Sequence, residues 1–236
     1  MRTTLSISTP VIGALLLTAS CATTTPGAHP HDMSASQHEA MASREERAAT
    51  GHASQYDPSA DRAVERCPSE RGTPLSPCWT DVVNPTAEHA QQADAHRNAA
   101  AEHRAASQAL RDAEERACAG IPEADRDMSP FEHRADIASV APLSAKPETK
   151  TLGAVVTLRA VPGLTAEWLE RDVKCHLARN AALGHVVPEM PDCPLVPRGV
   201  EASVTASASG FAVTIRAEDE ATARDVLRRA EALAKR

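Results

Sequence analysis

Three histidines recur every seven residues in the middle of the chain, at His89, His96 and His103. Seven residues are close to two turns of an α-helix, so these imidazoles share a face but lie about 10.5 Å apart along the axis. Two ligands on one helix need a spacing of three or four residues to bind the same metal ion. His38 and His52 keep the same phase in an earlier segment. If the two rows face each other, each site takes one histidine from each helix; otherwise the imidazoles fill polar positions beside alanine or face water.

A second group of possible ligands lies near the start of the chain. Five residues with imidazole or thioether side chains fall within a span of thirteen: His29, His31, Met33, His38 and Met41. Imidazole suits zinc and copper, and thioether suits Cu(I) in particular. The sequence therefore offers two interpretations, a chain without a cofactor or one that sequesters copper or zinc.

The segments that carry the histidine rows are typical of long helices. Ser34 with Gln37 has the form of a capping box, and strong helix formers follow it. A second helix opens at Asn84-Pro85, an N-cap followed by proline in the first helical position. We therefore predict an alanine-rich antiparallel helical hairpin over residues 34–118, with a disulfide-stapled loop between its helices.

The last third of the chain has a different pattern, and the fold class predicted for the whole is α+β. Residues 151–236 combine period-two strands with two helical stretches in the order β-α-β-β-α. A right-handed crossover predicts that the first two strands are parallel and adjacent, with both helices on one face. This small sandwich is similar to a ferredoxin-like fold that lacks its last strand. Residues 119–150 are predicted to be an irregular linker whose Phe131 docks elsewhere.

The first residues of the chain predict where the protein is located. A single Arg2, an apolar run over residues 11–17 and small residues before Cys21 make a secretory signal. This segment resembles bacterial lipoprotein signal peptides, which implies that residues 1–20 are removed and that Cys21 is acylated. Residues 21–33 then form a lipid anchor and a disordered, flexible tether. The resemblance to lipoprotein sorting signals implies that a chain with alanine after this cysteine goes to the outer membrane, where the protein would face the periplasm.

Four strings in the rest of the chain also resemble bacterial envelope lipoproteins of unassigned activity: "QHEAMASREE", "AEHRAASQALRDAEERACAGI", "DMSPFEHRADI" and "CHLARNAALGH". The resemblance covers most of the mature chain. The resemblance implies a location in the cell envelope and a fold, but no mechanism.

Five cysteines follow Cys21, and an exported compartment permits disulfides. Because five is odd, at least one thiol stays unpaired or pairs between chains. We predict two local disulfides, Cys67–Cys78 and Cys175–Cys193, each stabilising the fold by about 3 kcal/mol. Cys118 is then the free thiol. The alternative for the second pair is a soft-metal site with nearby histidine and methionine side chains.

Composition excludes several functions. The 236 residues carry a net charge of −7, which argues against binding to nucleic acid, and no later stretch reaches 18 apolar residues. Nucleotide-binding, serine-hydrolase and zinc-protease motifs are absent, and a lone Cys118 with His133 lacks an orienting group. We therefore expect a non-enzymatic binding or scaffolding protein, anchored to the membrane by lipid, with an envelope protein as partner. Its contact surface is the helical arm or the exposed strand face formed by Glu201, Ser203, Thr205, Thr214 and Arg216.

Overall fold

A computed structural model describes residues 33–67, 78–144 and 150–235 of the chain. The predicted signal peptide, the lipidation site Cys21 and the tether histidines His29 and His31 lie outside the described residues. Within the described part, no helix combines the length and the apolar character that crossing a bilayer requires.

The predicted helical hairpin is present. Helix α1 (Ala35–Ala53) begins at the capping box, where the Ser34 hydroxyl accepts a hydrogen bond from the Gln37 backbone and the Gln37 side chain accepts one in return. Helix α2 (Ala87–Ala117) packs antiparallel along it. The described ends of the connection form a two-stranded antiparallel ribbon, β1 (Arg62–Arg66) and β2 (Trp79–Val83), closed by the predicted Cys67–Cys78 disulfide.

The seam between α1 and α2 is made of small side chains at seven-residue intervals. Five nearly inaccessible alanines form it: Ala35, Ala42, Ala49, Ala93 and Ala100. Ser107 continues the row on α2 and donates a hydrogen bond to the Ala35 carbonyl at 2.9 Å. Ion pairs flank the seam, from Arg111 to Glu39 at 2.8 Å and from Arg104 to Glu46. A heptad pattern of alanine thus holds the helices together with little apolar surface.

The second half of the chain is an antiparallel four-stranded sheet with two helices on one face. Its elements are β3 (Ile137–Ser144), β4 (Thr151–Arg159), α3 (Ala166–Ala182), β5 (Val200–Ser207), β6 (Gly210–Ala217) and α4 (Glu220–Ala234). The strand order is β3-β4-β6-β5. One hydrophobic core joins the strands to both helices, and it contains Val156 and Ile215 together with Val173 of α3 and Val226 of α4.

Two predictions about the sheet are wrong. The strands β4 and β5 are parallel, but they are not adjacent, because β6 lies between them. The reason is burial: Val213 and Ile215 of β6 are fully buried, whereas the matching residues of β5 are only partly covered, so β6 takes the central place. The two-residue connection between β5 and β6 then leaves β5 at the edge.

The linker predicted to be irregular contains β3, which pairs antiparallel with β4 and occupies the other edge. Two features hide this strand in the sequence. The residues that point toward the core, Ile137 and Val140, are three apart, because a register shift between Ile137 and Ser139 interrupts the pairing. Pro142 also lowers the strand propensity, yet proline is tolerated where a strand has a free edge.

The hairpin is joined to the sheet unit through α2 and α3. Cys118, at the end of α2, is bonded to Cys175 of α3, with their Cα atoms 4.4 Å apart. The predicted Cys175–Cys193 pair is therefore wrong, and so is the assignment of Cys118 as the free thiol. Packing of two helices that are distant in sequence decides this pairing, which sequence separation alone does not reveal. Among the cysteines of the described residues, the free one is the buried Cys193.

Polar and backbone contacts complete this junction. Arg179 of α3 bonds Glu114 of α2 at 2.6 Å and also pairs with Asp127. Gly184, which follows α3 with φ of +69°, lies against Ser34 at the start of α1, and a Cβ on this glycine would be 2.8 Å from the Ser34 nitrogen. The start of the hairpin is thus held tightly to the end of α3.

Candidate metal-binding seam and acidic pocket

The two histidine rows face each other across the hairpin. His38 of α1 lies opposite His103 of α2, with their Nδ1 atoms 2.9 Å apart and their ring centroids 5.2 Å apart. His38 is only 2% exposed, and His103 is half-buried. One imidazole donates to the other at this distance, so the pair is held by a hydrogen bond between side chains of different helices.

A second cluster lies nearer the ribbon. The Nδ1 atoms of His52 and His89 are 3.4 Å apart, and the ring of His52 also stacks on His96 at 5.4 Å. His96 in turn contacts the Glu45 carboxylate at 2.6 Å through Nδ1. The seven-residue spacing explains the arrangement, since His52 lies between two imidazoles that are two turns apart on α2.

These distances suit metal binding by pairs of imidazoles. Zinc–nitrogen bonds of about 2.0–2.1 Å place two ligands of a tetrahedral site about 3.3 Å apart. The separation of 3.4 Å between His52 and His89 matches this edge, and the 2.9 Å between His38 and His103 requires only a small outward rotation of the rings. The seam therefore offers sites with two histidine ligands each, and a metal ion bound there would take its remaining ligands from solvent.

One larger group of possible ligands occurs in the two-stranded ribbon. Among the described residues, Glu65, Cys67 and Cys78 are the one set of three whose ligand atoms all lie within 4.8 Å of one another. Both thiols of that set are consumed by the disulfide, so it does not bind a soft metal. Of the ligands predicted near the start of the chain, Met33, His38 and Met41 are described. His38 is the buried seam histidine, and the two methionines are half-buried, one just before α1 and the other on it, three residues after His38.

The free thiol has the environment of a structural residue. Cys193 is 2% exposed, and the Ser129 hydroxyl donates to its sulfur at 3.6 Å. Burial raises the pKa of the Cys193 thiol above its usual range. A thiol that resists ionisation is a poor nucleophile, and this supports a packing role.

A pocket that the sequence analysis did not predict lies between the start of α3 and the segment before β3. Its volume is about 370 Å³, in the range of small-ligand sites. Apolar walls come from Leu158, Val161, Leu164, Trp168 and Leu169. The segment around Phe131, which is buried in the sheet core as expected for a docking aromatic, supplies the opposite wall.

The floor of the pocket contains a buried acid. Asp172 is 4% exposed, and His176, one turn further along α3, is fully buried. The His176 Nε2 and Asp172 Oδ1 atoms are 3.8 Å apart, too far for a hydrogen bond. Within the described part of the chain, Asp172 Oδ1 has no hydrogen-bond partner, and the His176 ring interacts with the backbone of Met128 and Asp125.

Burial shifts both groups toward their neutral forms. Loss of solvation, with repulsion from Asp125, raises the pKa of Asp172 to about 7. Loss of solvation lowers the pKa of His176 to about 4. Perturbed groups of this kind in a concave site are typical of functional residues. The available signal in the sequence is an aspartate and a histidine four residues apart, interleaved with the apolar residues Leu169 and Val173 on the buried side of α3.

Comparison of the chain with family models, with curated proteins and with solved structures found no match. The functional assignment therefore depends on the geometry of the histidine seam and of the acidic pocket, and on the predicted export and lipid anchor.

Proposed function

We propose that this protein is a non-catalytic, lipid-anchored binding protein of the bacterial cell envelope and that the seam of its helical hairpin binds zinc or copper. The observation that carries the metal assignment is the facing of the two histidine rows, with Nδ1 atoms 3.4 Å apart at His52 and His89. Imidazole is a ligand for both metals, and paired imidazoles on two rigid helices are already positioned.

Export is supported by the chemistry of the cysteines. Two disulfides tie the described residues together, Cys67–Cys78 and Cys118–Cys175, and disulfides persist in oxidising compartments such as the periplasm. The lipid anchor at Cys21 is tested by labelling cells with palmitate. We expect label in the wild-type chain and none in Cys21→Ala, which should also leave the membrane fraction. An unlabelled wild-type protein would contradict the anchor.

Metal binding is tested by equilibrium dialysis of the full-length protein against Zn²⁺ and, separately, Cu²⁺. We expect two ions per chain at the seam with dissociation constants of about micromolar or tighter. His38→Ala with His103→Ala should remove one ion, and His52→Ala with His89→Ala should remove the other. His133→Ala, a histidine remote from the hairpin, is the matched control and should keep both.

A variant of the tether shows whether the metal binds to the tether histidines or to the seam histidines. His29→Ala with His31→Ala should leave the uptake by the seam unchanged. If this variant abolishes uptake while the seam variants retain it, the metal belongs to the tether. If the wild-type protein takes up no ion at these concentrations, the metal assignment is wrong.

A protein partner is a second candidate function, favoured by the ribbon. Trp79 and Val82 of β2 are 51% and 71% exposed, which is unusual for large apolar side chains, and tryptophan is enriched at interface centres. The predicted strand face is also uncovered, with Ser203 and Thr205 exposed. Photo-crosslinking residues at Val82 and at Thr205, compared in cells, distinguish the two surfaces. We expect a discrete adduct from the ribbon; adducts from neither position would contradict partner binding.

A further inference from the structure

The pocket beside α3 has the charge of a cation-binding site. Four carboxyl groups line it, those of Asp125, Glu132, Asp136 and Asp172. Neither lysine nor arginine is among the described residues that line it, and His133 is the one other titratable side chain there. An anionic ligand would meet uncompensated repulsion at this surface.

Asp172 distinguishes this pocket from a surface cluster of acids. Its side chain is more than nine-tenths buried and lines the cavity, and its Oδ1 atom, 3.8 Å from His176 Nε2, has no hydrogen-bond partner in the described part of the chain. A buried polar atom in this state costs free energy, and a ligand that donates a hydrogen bond to it recovers that cost. Burial and repulsion from Asp125 raise the pKa of Asp172, and a cation bound beside it would oppose both effects.

The side chains in the pocket walls indicate what the uncharged part of the ligand should be. Leu158, Leu164 and Leu169 are apolar, and Trp168 is 37% exposed at the mouth, where its ring can contact a cation or an apolar group. A hydrated metal ion does not use such walls, and the lining carboxylates do not form a group of three ligand atoms within 4.8 Å among the described residues. An organic cation uses both the walls and the acid.

We propose that this pocket binds a small organic cation, a protonated amine that carries an apolar group, with its ammonium on Asp172 and its apolar part against Leu164 and Trp168. The site is separate from the histidine seam, and its function does not depend on metal binding there.

Three probes of similar size and different charge test the proposal: 2-phenylethylammonium, neutral 2-phenylethanol and anionic 3-phenylpropanoate. Trp79 and Trp168 are the two tryptophans of the chain, so Trp79→Phe in the full-length protein leaves Trp168 as the fluorescent reporter. Saturation-transfer NMR of the probes provides a readout independent of fluorescence. We expect the ammonium to bind about tenfold more tightly than the alcohol and the carboxylate to bind most weakly, as a charge-assisted hydrogen bond would give.

Variants assign the selectivity to one residue. Asp172→Asn keeps the shape and removes the charge, so the ammonium should bind about tenfold more weakly while the affinity for the alcohol stays unchanged. Asp94→Asn, an exposed aspartate on α2, is the control and should leave all affinities unchanged. Circular dichroism verifies the fold of each variant.

Three results would overturn the proposal: equal affinity for the three probes, tightest binding of the carboxylate, or an ammonium affinity that is unchanged in folded Asp172→Asn. Absence of binding of all three probes in both readouts would overturn it as well. If Asp172→Asn does not fold, the charge series on the Trp79→Phe protein decides the matter by itself.

Discussion

The helical hairpin and the sheet unit are held together in different ways. Buried alanine and paired polar side chains fill the seam between α1 and α2, whereas the sheet packs Phe131, Val156 and Ile215 in a core with two helices. Alanine contributes little apolar area, so the hairpin depends more on its attachments than on its interior. We therefore expect that the hairpin holds its histidines in place with little apolar surface and depends on its attachment to the sheet unit for stability.

The attachments are located at one end of the hairpin. The Cys118–Cys175 disulfide, the Arg179–Glu114 ion pair and the contact of Gly184 with Ser34 all join this end to α3. The ribbon at the other end makes few contacts beyond its own two strands. Variants that loosen the junction should therefore affect the hairpin before they affect the sheet.

Removal of the Cys118–Cys175 disulfide should have the largest effect on the stability of the hairpin relative to that of the sheet unit. Cys118→Ala with Cys175→Ala should lower the free energy of unfolding by about 4 kcal/mol, because the bond closes a loop of 57 residues. We expect the hairpin to unfold at lower urea than the sheet, seen as circular dichroism that changes before Trp168 fluorescence in a Trp79→Phe background.

The control for this experiment is the disulfide of the ribbon. Cys67→Ala with Cys78→Ala opens a loop of 11 residues and should cost about 3 kcal/mol or less, with the two signals still coincident. Coincident transitions in the Cys118→Ala, Cys175→Ala protein would show that the hairpin is stable without its covalent attachment.

The pH dependence of stability should separate Asp172 from His176. Between pH 4 and 6.5 the folded pair holds one proton, because the pKa of Asp172 is raised to about 7 and that of His176 is lowered to about 4. The unfolded pair also holds one proton there, on the imidazole. The wild-type free energy of unfolding therefore has no net slope from this pair in that window.

Single variants expose the two opposing slopes. In Asp172→Asn the unfolded state binds more protons than the folded state, so stability should rise by about 3 kcal/mol as pH increases from 4 to 6.5. In His176→Gln the folded carboxyl group keeps a proton that the unfolded one loses, so stability should fall as pH rises from 4 to 7. Urea titrations at half-unit pH intervals measure both. Profiles with slopes of the same sign would contradict the assigned shifts.

Two glycine variants give the smallest effects, and they have opposite signs. Gly184→Ala forces a side chain into a positive φ and against the Ser34 backbone, and it should cost about 2 kcal/mol. Gly51→Ala lies within α1 with open space around it and should stabilise by about 0.5–1 kcal/mol. Thermal unfolding of each variant provides the comparison. A neutral Gly184→Ala would mean that the start of α1 is not held against α3.

The parts of the fold that sequence reasoning predicts are those set by local periodicity. The capping box at Ser34 and the hairpin follow from helical spacing within two segments, whereas the facing of the two histidine rows is only one of the two alternatives that this spacing leaves open. The β3 strand is missed because its core residues are three apart and it contains Pro142.

The features that sequence reasoning misses depend on contacts between distant segments. The Cys118–Cys175 bond requires the relative placement of α2 and α3, and the pocket combines the segment before β3 with the β4–α3 connection and α3 itself. Asp172 is one polar residue in a helix until that segment covers it. The periodicity of residues along a single helix or strand does not reveal which distant segments come into contact.

The central claim, that the histidine seam binds metal, is tested most directly by anomalous diffraction from crystals of the protein grown with Zn²⁺. The claim predicts one anomalous peak between His52 and His89 and another between His38 and His103, each within about 2.1 Å of a ring nitrogen. Peaks confined to other positions, with the imidazoles still hydrogen-bonded to each other, would contradict it.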